Sequence, residues 1–269
     1  MPTLDAAACD DLMDELTRIA AHAAATILDF VIETGVRSKA DGSPVTAADE
    51  AAEAIICDGL KRLDPAVPVI SEEQAAREKP KPTAGGSYFL VDPLDGTREF
   101  IAGRNEYTIN IALMTDGAPL LGIICAPALG IFWRGVVGRG ADRILATDTD
   151  VPTPIRTRPR PASEAVVVVS RSHLEARTKS YVDGLPGAKL VQSGSSIKFC
   201  RLAEGAADVY PRLAPTHDWD IAAGHAILKA AGGSVTAPDG TPLVYGTNDL
   251  LIPDFLAWGD PASAVLVKD

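Results

Sequence analysis

Apolar residues near the N-terminus recur at helical spacing. Leu12, Leu16, Ile19, Ala20, Ala23, Ile27 and Phe30 share a face, which predicts a helix over residues 5–35 that stops near Gly35. A second periodic run follows Thr46. Asp49 and Glu50 fall in its first turn and Ile55, Ile56 and Leu60 form its stripe, which predicts a helix over 46–63. Val67–Ser71 reads as a short strand, and the polar, Pro- and Gly-bearing stretch 74–86 reads as a mobile loop. Tyr88–Asp92 is an apolar strand that ends in an acid, with a helix able to begin over Thr97–Ala102. Thr108–Met114 and Leu120–Ala126 read as consecutive strands. Pro152, Pro154, Pro159 and Pro161 mark 147–162 as a linker. Residues 1–150 then form an α+β half and 151–269 an α/β half. In the second half a buried strand is predicted at Val166–Ser170, helices at 173–183, 195–204 and 219–231, and short strands near 189–192, 207–211 and 234–236.

Composition narrows the classes. Of 269 residues, 46% are apolar and 23% charged, which suits a globular chain with a sizeable core. The net charge is −11, from 25 basic and 36 acidic residues, so nucleic acid polymers and anionic lipid are disfavoured as partners. No apolar run of about 18 residues is present to span a membrane. Met1–Cys9 lacks the basic and apolar regions of a secretory signal. Cys9, Cys57, Cys125 and Cys200 are scattered with no CxxC pair, which predicts free buried thiols and a cytoplasmic location.

The densest chemistry lies in Val91–Thr97. Asp92 and Asp95 flank Leu94, Pro93 fixes φ, and Gly96 permits a tight turn before Thr97. Two carboxylates and the Leu94 carbonyl are hard oxygen donors suited to magnesium. The free amides of Gly96 and Thr97 can hold a phosphate. Alone, this segment also reads as an Asp-Gly turn with a capping threonine. Glu72 and Glu73 alone read as surface charge, Asp220 alone as a helix N-cap, and Lys39–Asp49 alone as a turn before a capped helix. Taken together, these acids sit at strand ends and helix starts, and their mutual repulsion calls for cations. Two magnesium ions would satisfy them and could clamp a phosphate ester while activating water.

With those segments in view, the chain resembles the inositol monophosphatase superfamily of magnesium-dependent, lithium-sensitive phosphatases. Within it, the chain is most similar to the CysQ-type 3'(2'),5'-bisphosphate nucleotidases. The resemblance rests on Glu72-Glu73, Asp92–Thr97 and Trp219-Asp220. The runs Lys39–Asp49, Asp95–Phe100, Asn105–Leu113, Ser170–His173, Gly194–Cys200, Ala203–Arg212 and Trp219–His225 add to it, over about residues 10–260. It implies a layered αβαβα sandwich of the inositol monophosphatase and fructose bisphosphatase type. It implies a first metal on Glu72, Asp92 and the Leu94 carbonyl, and a second on Asp92, Asp95 and Asp220. A third, weaker magnesium near Asp49 and Glu72 is often invoked in the family. Gly96 and Thr97 resemble the phosphate cradle, Asp49 and Thr97 the pair that orients water, and Glu73 a residue that holds metal-bound water. Superfamily dimers make a homodimer an option.

A nucleoside bisphosphate carries a second phosphate, and His173, Ser195, Lys198 and Arg212 are the candidates to hold it. The expected reaction is hydrolysis of the 3'-phosphate of 3'-phosphoadenosine 5'-phosphate to AMP, with its sulfated form a further substrate, in nucleotide recycling linked to sulfate assimilation. Rival readings are a phosphatase acting on inositol monophosphate or a sugar bisphosphate, and a non-catalytic metal- or nucleotide-binding regulator. His22, His217 and His225 lack metal-ligand spacing and are expected in structural or surface roles.

Overall fold

A computed structural model of the chain describes residues 6–30, 36–39, 42, 44–78, 86–146, 151–161, 164–171, 174–185 and 187–264. His173, the middle of the predicted 74–86 loop and the start of the predicted linker lie outside the described residues.

The two predicted N-terminal helices form as α1 (Ala6–Asp29) and α2 (Ala47–Leu63). Thr46 caps α2 in a reciprocal box with Asp49. Leu16, Ala20, Ala23 and Ile27 of α1 and Ala52, Ile56 and Leu60 of α2 are fully buried. They cover one face of a seven-stranded sheet, which runs in chain order: β1 (Val69–Ser71), β2 (Ser87–Asp95), β3 (Thr108–Thr115), β4 (Ala118–Ala126), β5 (Ile131–Val136), β6 (Gly140–Leu145) and β7 (Thr153–Ile155). Only the β1–β2 pair is parallel. The sheet is buried on both faces. Phe89 and Val91 meet α1 and α2, while Tyr88 and Leu90 face the other way.

Two short elements differ from the sequence reading. Glu72–Arg77 is a helix, α3, and not the start of a loop. Glu53 of α2 makes this turn possible, because its Oε1 accepts the Gln74 amide at 3.0 Å and the Ser71 hydroxyl. Pro154 lies in β7 at the edge of the first sheet and not in a free linker.

The second sheet has the order β9 (Lys189–Ser193), β8 (Val166–Ser170), β10 (Val209–Arg212), β12 (Phe255–Trp258), β11 (Ser234–Thr236). The pairs β8–β9 and β8–β10 are parallel. Val167 and Val169 pack toward α5 (Ala176–Asp183), and Val168 faces inward. Between the sheets lie α6 (Ile197–Ala203) and α7 (Asp218–Ala230). Ile221, Ala222, Ala223, Ala226, Ile227 and Leu228 are all buried, as a helix between two sheets requires. Close approach is bought with glycines. A Cβ on Gly122 would stand 2.5 Å from the Ala223 carbonyl oxygen, and one on Gly135 2.7 Å from the Ile227 Cα. The layers are helices, sheet, helices, sheet, helix, which is the αβαβα sandwich the resemblance implied. Among the described residues, no helix is long and apolar enough to cross a membrane. All four cysteines are free and buried, as expected.

Candidate active site

The site grows from an irregularity in β2. The strand does not end at Asp92. It continues to Asp95 across a register shift, with Asp92 opposite Asn110 and Asp95 opposite Thr108. One extra residue at Pro93–Leu94 bulges the strand. The Asp92 carboxylate closes the bulge by accepting the Leu94 amide at 3.0 Å. Gly96 then turns the chain at φ 90°, and Thr97 opens α4 (Thr97–Ile101). A single bulge thus places Asp92, the Leu94 carbonyl, Asp95 and Thr97 together.

Asp49 reaches this turn from α2. Its Oδ2 accepts the Thr46 amide at 2.8 Å and the Thr46 hydroxyl at 2.5 Å, and its Oδ1 accepts the Thr97 hydroxyl at 3.0 Å. Burial raises the Asp49 pKa against these hydrogen bonds. Asp49 and Thr97 are therefore joined by a direct hydrogen bond.

Glu72 and Glu73 arrive on α3, and between them sits the Lys39 ammonium, 2.5 Å from Glu72 and 2.7 Å from Glu73. Burial alone would lower the lysine pKa, but the two glutamates override it and hold Lys39 charged. Asp220 comes from the second half, at the third position of α7. It is not the N-cap; His217 is, and Asp220 Oδ2 accepts the His217 amide at 3.1 Å and the Thr216 hydroxyl.

These acids perturb one another. Burial, opposed by Lys39 and reinforced by Asp220, leaves Glu72 raised to about 7. Burial, then Glu72, Asp95 and Asp220, hold Asp92 well above the usual carboxylate range. Burial and Asp220 push Asp95 up to about 6, opposed by Lys198, the Ser196 amide and Arg212. Such mutual repulsion marks a site built to receive positive charge. Among the described residues, no group of three or more His, Cys, Asp or Glu side chains is already arranged to hold a metal ion. Lys39 is paired with Glu72 and Glu73, and the Thr216 hydroxyl donates to Asp220.

Opposite the acids lies the Gly194–Lys198 turn. Ser195 adopts φ 42°, a left-handed conformation unusual for serine. The buried Ser196 hydroxyl joins Thr108 at 2.7 Å and Asn110 at 2.6 Å. Lys198 is buried, donates to the Ser195 carbonyl and lies 5.1 Å from the Tyr210 ring centroid. The Arg212 Nε is buried without a hydrogen-bond partner among the described residues. A cavity of about 280 Å³ joins the two walls, lined by Glu72, Asp95, Thr97, Ser195, Lys198 and Arg212 among others. A neighbouring cavity of about 600 Å³ shares Ser170, Tyr210 and Arg212 with it.

The model of the inositol monophosphatase family matches residues 9–264. This chain belongs to the inositol monophosphatase family. It is 43% identical over 235 residues to 3'(2'),5'-bisphosphate nucleotidase CysQ of Escherichia coli strain K12, covering 87% of this chain and 93% of that protein. To the CysQ protein of Buchnera aphidicola it is 36% identical over 263 residues, covering 95% and 93%. The crystal structure of CysQ from Bacteroides thetaiotaomicron superposes with a TM-score of 0.78 at 35% identity, covering 92% of this chain and 97% of that one. An inositol monophosphatase from Anabaena superposes with a TM-score of 0.75 at 26% identity, covering 94% and 92%.

For this family member, sequence reasoning gave no role to Lys39, Glu53 or Thr216, which hold Glu72, Glu73, the start of α3 and Asp220. Lys39 stood in a quoted motif, and its fixed spacing from Asp49 was the available signal. Nothing local in the sequence points to Glu53 or Thr216.

Proposed function

We propose that this chain is a magnesium-dependent 3'(2'),5'-bisphosphate nucleotidase of the cytoplasm. It removes the 3'-phosphate of 3'-phosphoadenosine 5'-phosphate, giving AMP and phosphate, and accepts the sulfated form of that nucleotide. One observation carries the substrate: a single cavity has carboxylates on one wall and the cations Lys198 and Arg212 on the other. A phosphate monoester with one phosphate needs only the first wall. The unpartnered Arg212 Nε supplies a directed donor to a second anion. The neighbouring cavity gives room for a nucleoside.

The donor set suits magnesium. It offers hard carboxylate and carbonyl oxygens, and a cation already sits among them in the form of Lys39. In this reading Glu72, Asp92 and the Leu94 carbonyl hold one ion, and Asp92, Asp95 and Asp220 hold a second. Bound magnesium supplies positive charge to the phosphate and acidifies water at neutral pH. The chain's residues do the rest. The Thr97 hydroxyl donates to Asp49 Oδ1 at 3.0 Å, with the Leu94 carbonyl a second acceptor at 3.2 Å; as Thr97 takes a proton from the attacking water, its own proton passes to the Asp49 carboxylate. Asp49, fixed by Thr46, keeps that direction of donation. The Gly96 and Thr97 amides hold the phosphate oxygens at the turn. Ser195, Lys198 and Arg212 hold the phosphate that is not cleaved.

The test is phosphate release from 3'-phosphoadenosine 5'-phosphate and from inositol 1-phosphate, side by side, with magnesium and then with excess chelator. Fast chelator-sensitive release from the nucleotide alone is expected. Preferential release from inositol phosphate would overturn the substrate and retain the metal site. Ligand binding with no turnover of either would favour the non-catalytic reading.

A further inference from the structure

Glu106 lies outside the metal site and outside the contacts proposed for substrate, yet it touches both phosphate-facing turns. Its backbone belongs to the first half, just before β3. Its carbonyl oxygen would stand 3.2 Å from a Cβ on Gly96 and 2.6 Å from a Cβ on Gly194. The peptide is thus wedged between the Gly96 turn and the Gly194 turn. Its side chain completes the clamp. Oε2 accepts the Gly194 amide at 3.0 Å and Arg171 Nε at 3.0 Å, and Oε1 is 3.5 Å from the Ser193 hydroxyl. Arg171 also donates to the Gln192 carbonyl at 3.3 Å, which ties β8, β9 and the turn into one bracket.

We infer that Glu106 is a positioning residue that sets the gap between the two phosphate subsites and so favours a ligand with two phosphates. This rests on the nucleotidase reading above. The physical reason is that the cradle turn belongs to the first half and the Ser195–Lys198 contacts belong to the second. A ligand with phosphates at both ends of a ribose is matched only if that gap is fixed. Ser195 holds a left-handed φ that serine does not keep unaided. Glu106 fixes the backbone of the residue before it, Thr108 and Asn110 hold the Ser196 hydroxyl after it, and Thr108 also reaches the Ser195 hydroxyl at 3.1 Å, which fixes its side chain but not its φ. Arg171 cancels the Glu106 charge, so the clamp does not repel the anion it helps to place. Removing the Glu106 carboxylate loosens Gly194 and Ser195. It leaves Ser196, and through it the Asp95 wall, in place.

The experiment compares wild type, Glu106→Ala and Glu106→Gln on 3'-phosphoadenosine 5'-phosphate and on 3'-AMP, which lacks the second phosphate. Amide hydrogen exchange of residues 193–198 is read in the same proteins without any substrate, with α1 amides as the folding control. In Glu106→Ala, KM for the bisphosphate rises about tenfold, kcat stays within about twofold, and kcat/KM for 3'-AMP changes by less than about twofold. Exchange at 193–198 quickens while α1 is unchanged. Glu106→Gln recovers most of the bisphosphate KM, because its amide oxygen still accepts from Gly194. Equal losses on both substrates, or kinetics and exchange like wild type, overturn the inference. If wild type itself shows no preference for the bisphosphate, the nucleotidase reading fails on its own. The exchange then decides the clamp: quickened exchange supports it and unchanged exchange overturns it.

Discussion

Two turns face each other across the cavity, and they are held in place by different means. The Asp92–Thr97 turn is shaped by its own strand. Its bulge, its Asx-type hydrogen bond and its positive-φ glycine are all within six residues. The Gly194–Lys198 turn has a local tie, from Lys198 to the Ser195 carbonyl, but much of its bracing comes from afar. Its bends are imposed by Glu106, Thr108 and Asn110, all about 86–88 positions away in sequence. A site can therefore carry one wall that is fixed locally and one that exists only once both halves have packed.

The largest expected effect lies on the locally built wall. Asp95→Asn keeps the shape of the turn but loses a charged donor, so kcat falls by about a thousandfold or more with little change in thermal midpoint. Near-normal phosphate release at saturating magnesium would remove Asp95 from the site. On the opposite wall, Lys198→Ala raises KM for the nucleoside bisphosphate by about 30-fold and changes inositol 1-phosphate hydrolysis by less than about threefold. Equal effects on the two substrates would erase the division of labour between the walls.

A pair of glycine substitutions sharpens the comparison in stability. In Gly194→Ala the new Cβ meets the Glu106 carbonyl oxygen at 2.6 Å and the Glu106 Cβ at 2.9 Å. Neither atom can yield easily, so a cost of about 3 kcal/mol is expected in urea unfolding. In Gly96→Ala the nearest contact is 3.2 Å, and the strain of φ 90° dominates. About 1–2 kcal/mol is expected there. A larger loss at Gly96 than at Gly194 would reverse the ranking of the two turns.

The effect that is smallest within a unit of neutral pH is an acid sensitivity of the second half. His225 of α7 is buried 2.9 Å from the Tyr245 hydroxyl, and burial, with Lys229 adding, pushes its pKa down to about 3. Below about pH 6.5 the unfolded chain binds a proton that the folded one refuses. Folding stability therefore falls with pH, by up to about tenfold in equilibrium constant per unit, until about pH 3. His225→Gln should flatten the unfolding free energy against pH by one proton over that window. An unchanged slope would show that other groups carry it.

Much of the fold was readable because burial imposes period. The stripes of α1 and α2 and the valine run of β8 each match a covered face. Strands β5 and β6 were missed because they carry charges inside. Arg134 is buried and bonds Asp142 across the ladder at 2.8 and 3.1 Å, so the pattern reads as polar. Helix α3 was missed because its start depends on Glu53, about 20 positions earlier. In the site, motif residues were legible where one strand or helix start gathers them. Lys39 and Glu106 lie in runs that carry the resemblance, but that Lys39 sits between Glu72 and Glu73, and Glu106 beneath Gly194, are contacts between distant segments that the sequence does not reveal.

Helix α7 has a mechanical consequence. It carries Asp220 at one end and is wedged into both sheets, with no room for a methyl group at Gly122, Gly135 or Gly224. Two bodies joined by such a wedge have no plane to slide along and no free axle to turn on. The spacing between the carboxylate wall and the cation wall is therefore set by how closely this helix packs, and a change of one methyl group along it is felt at the cleft.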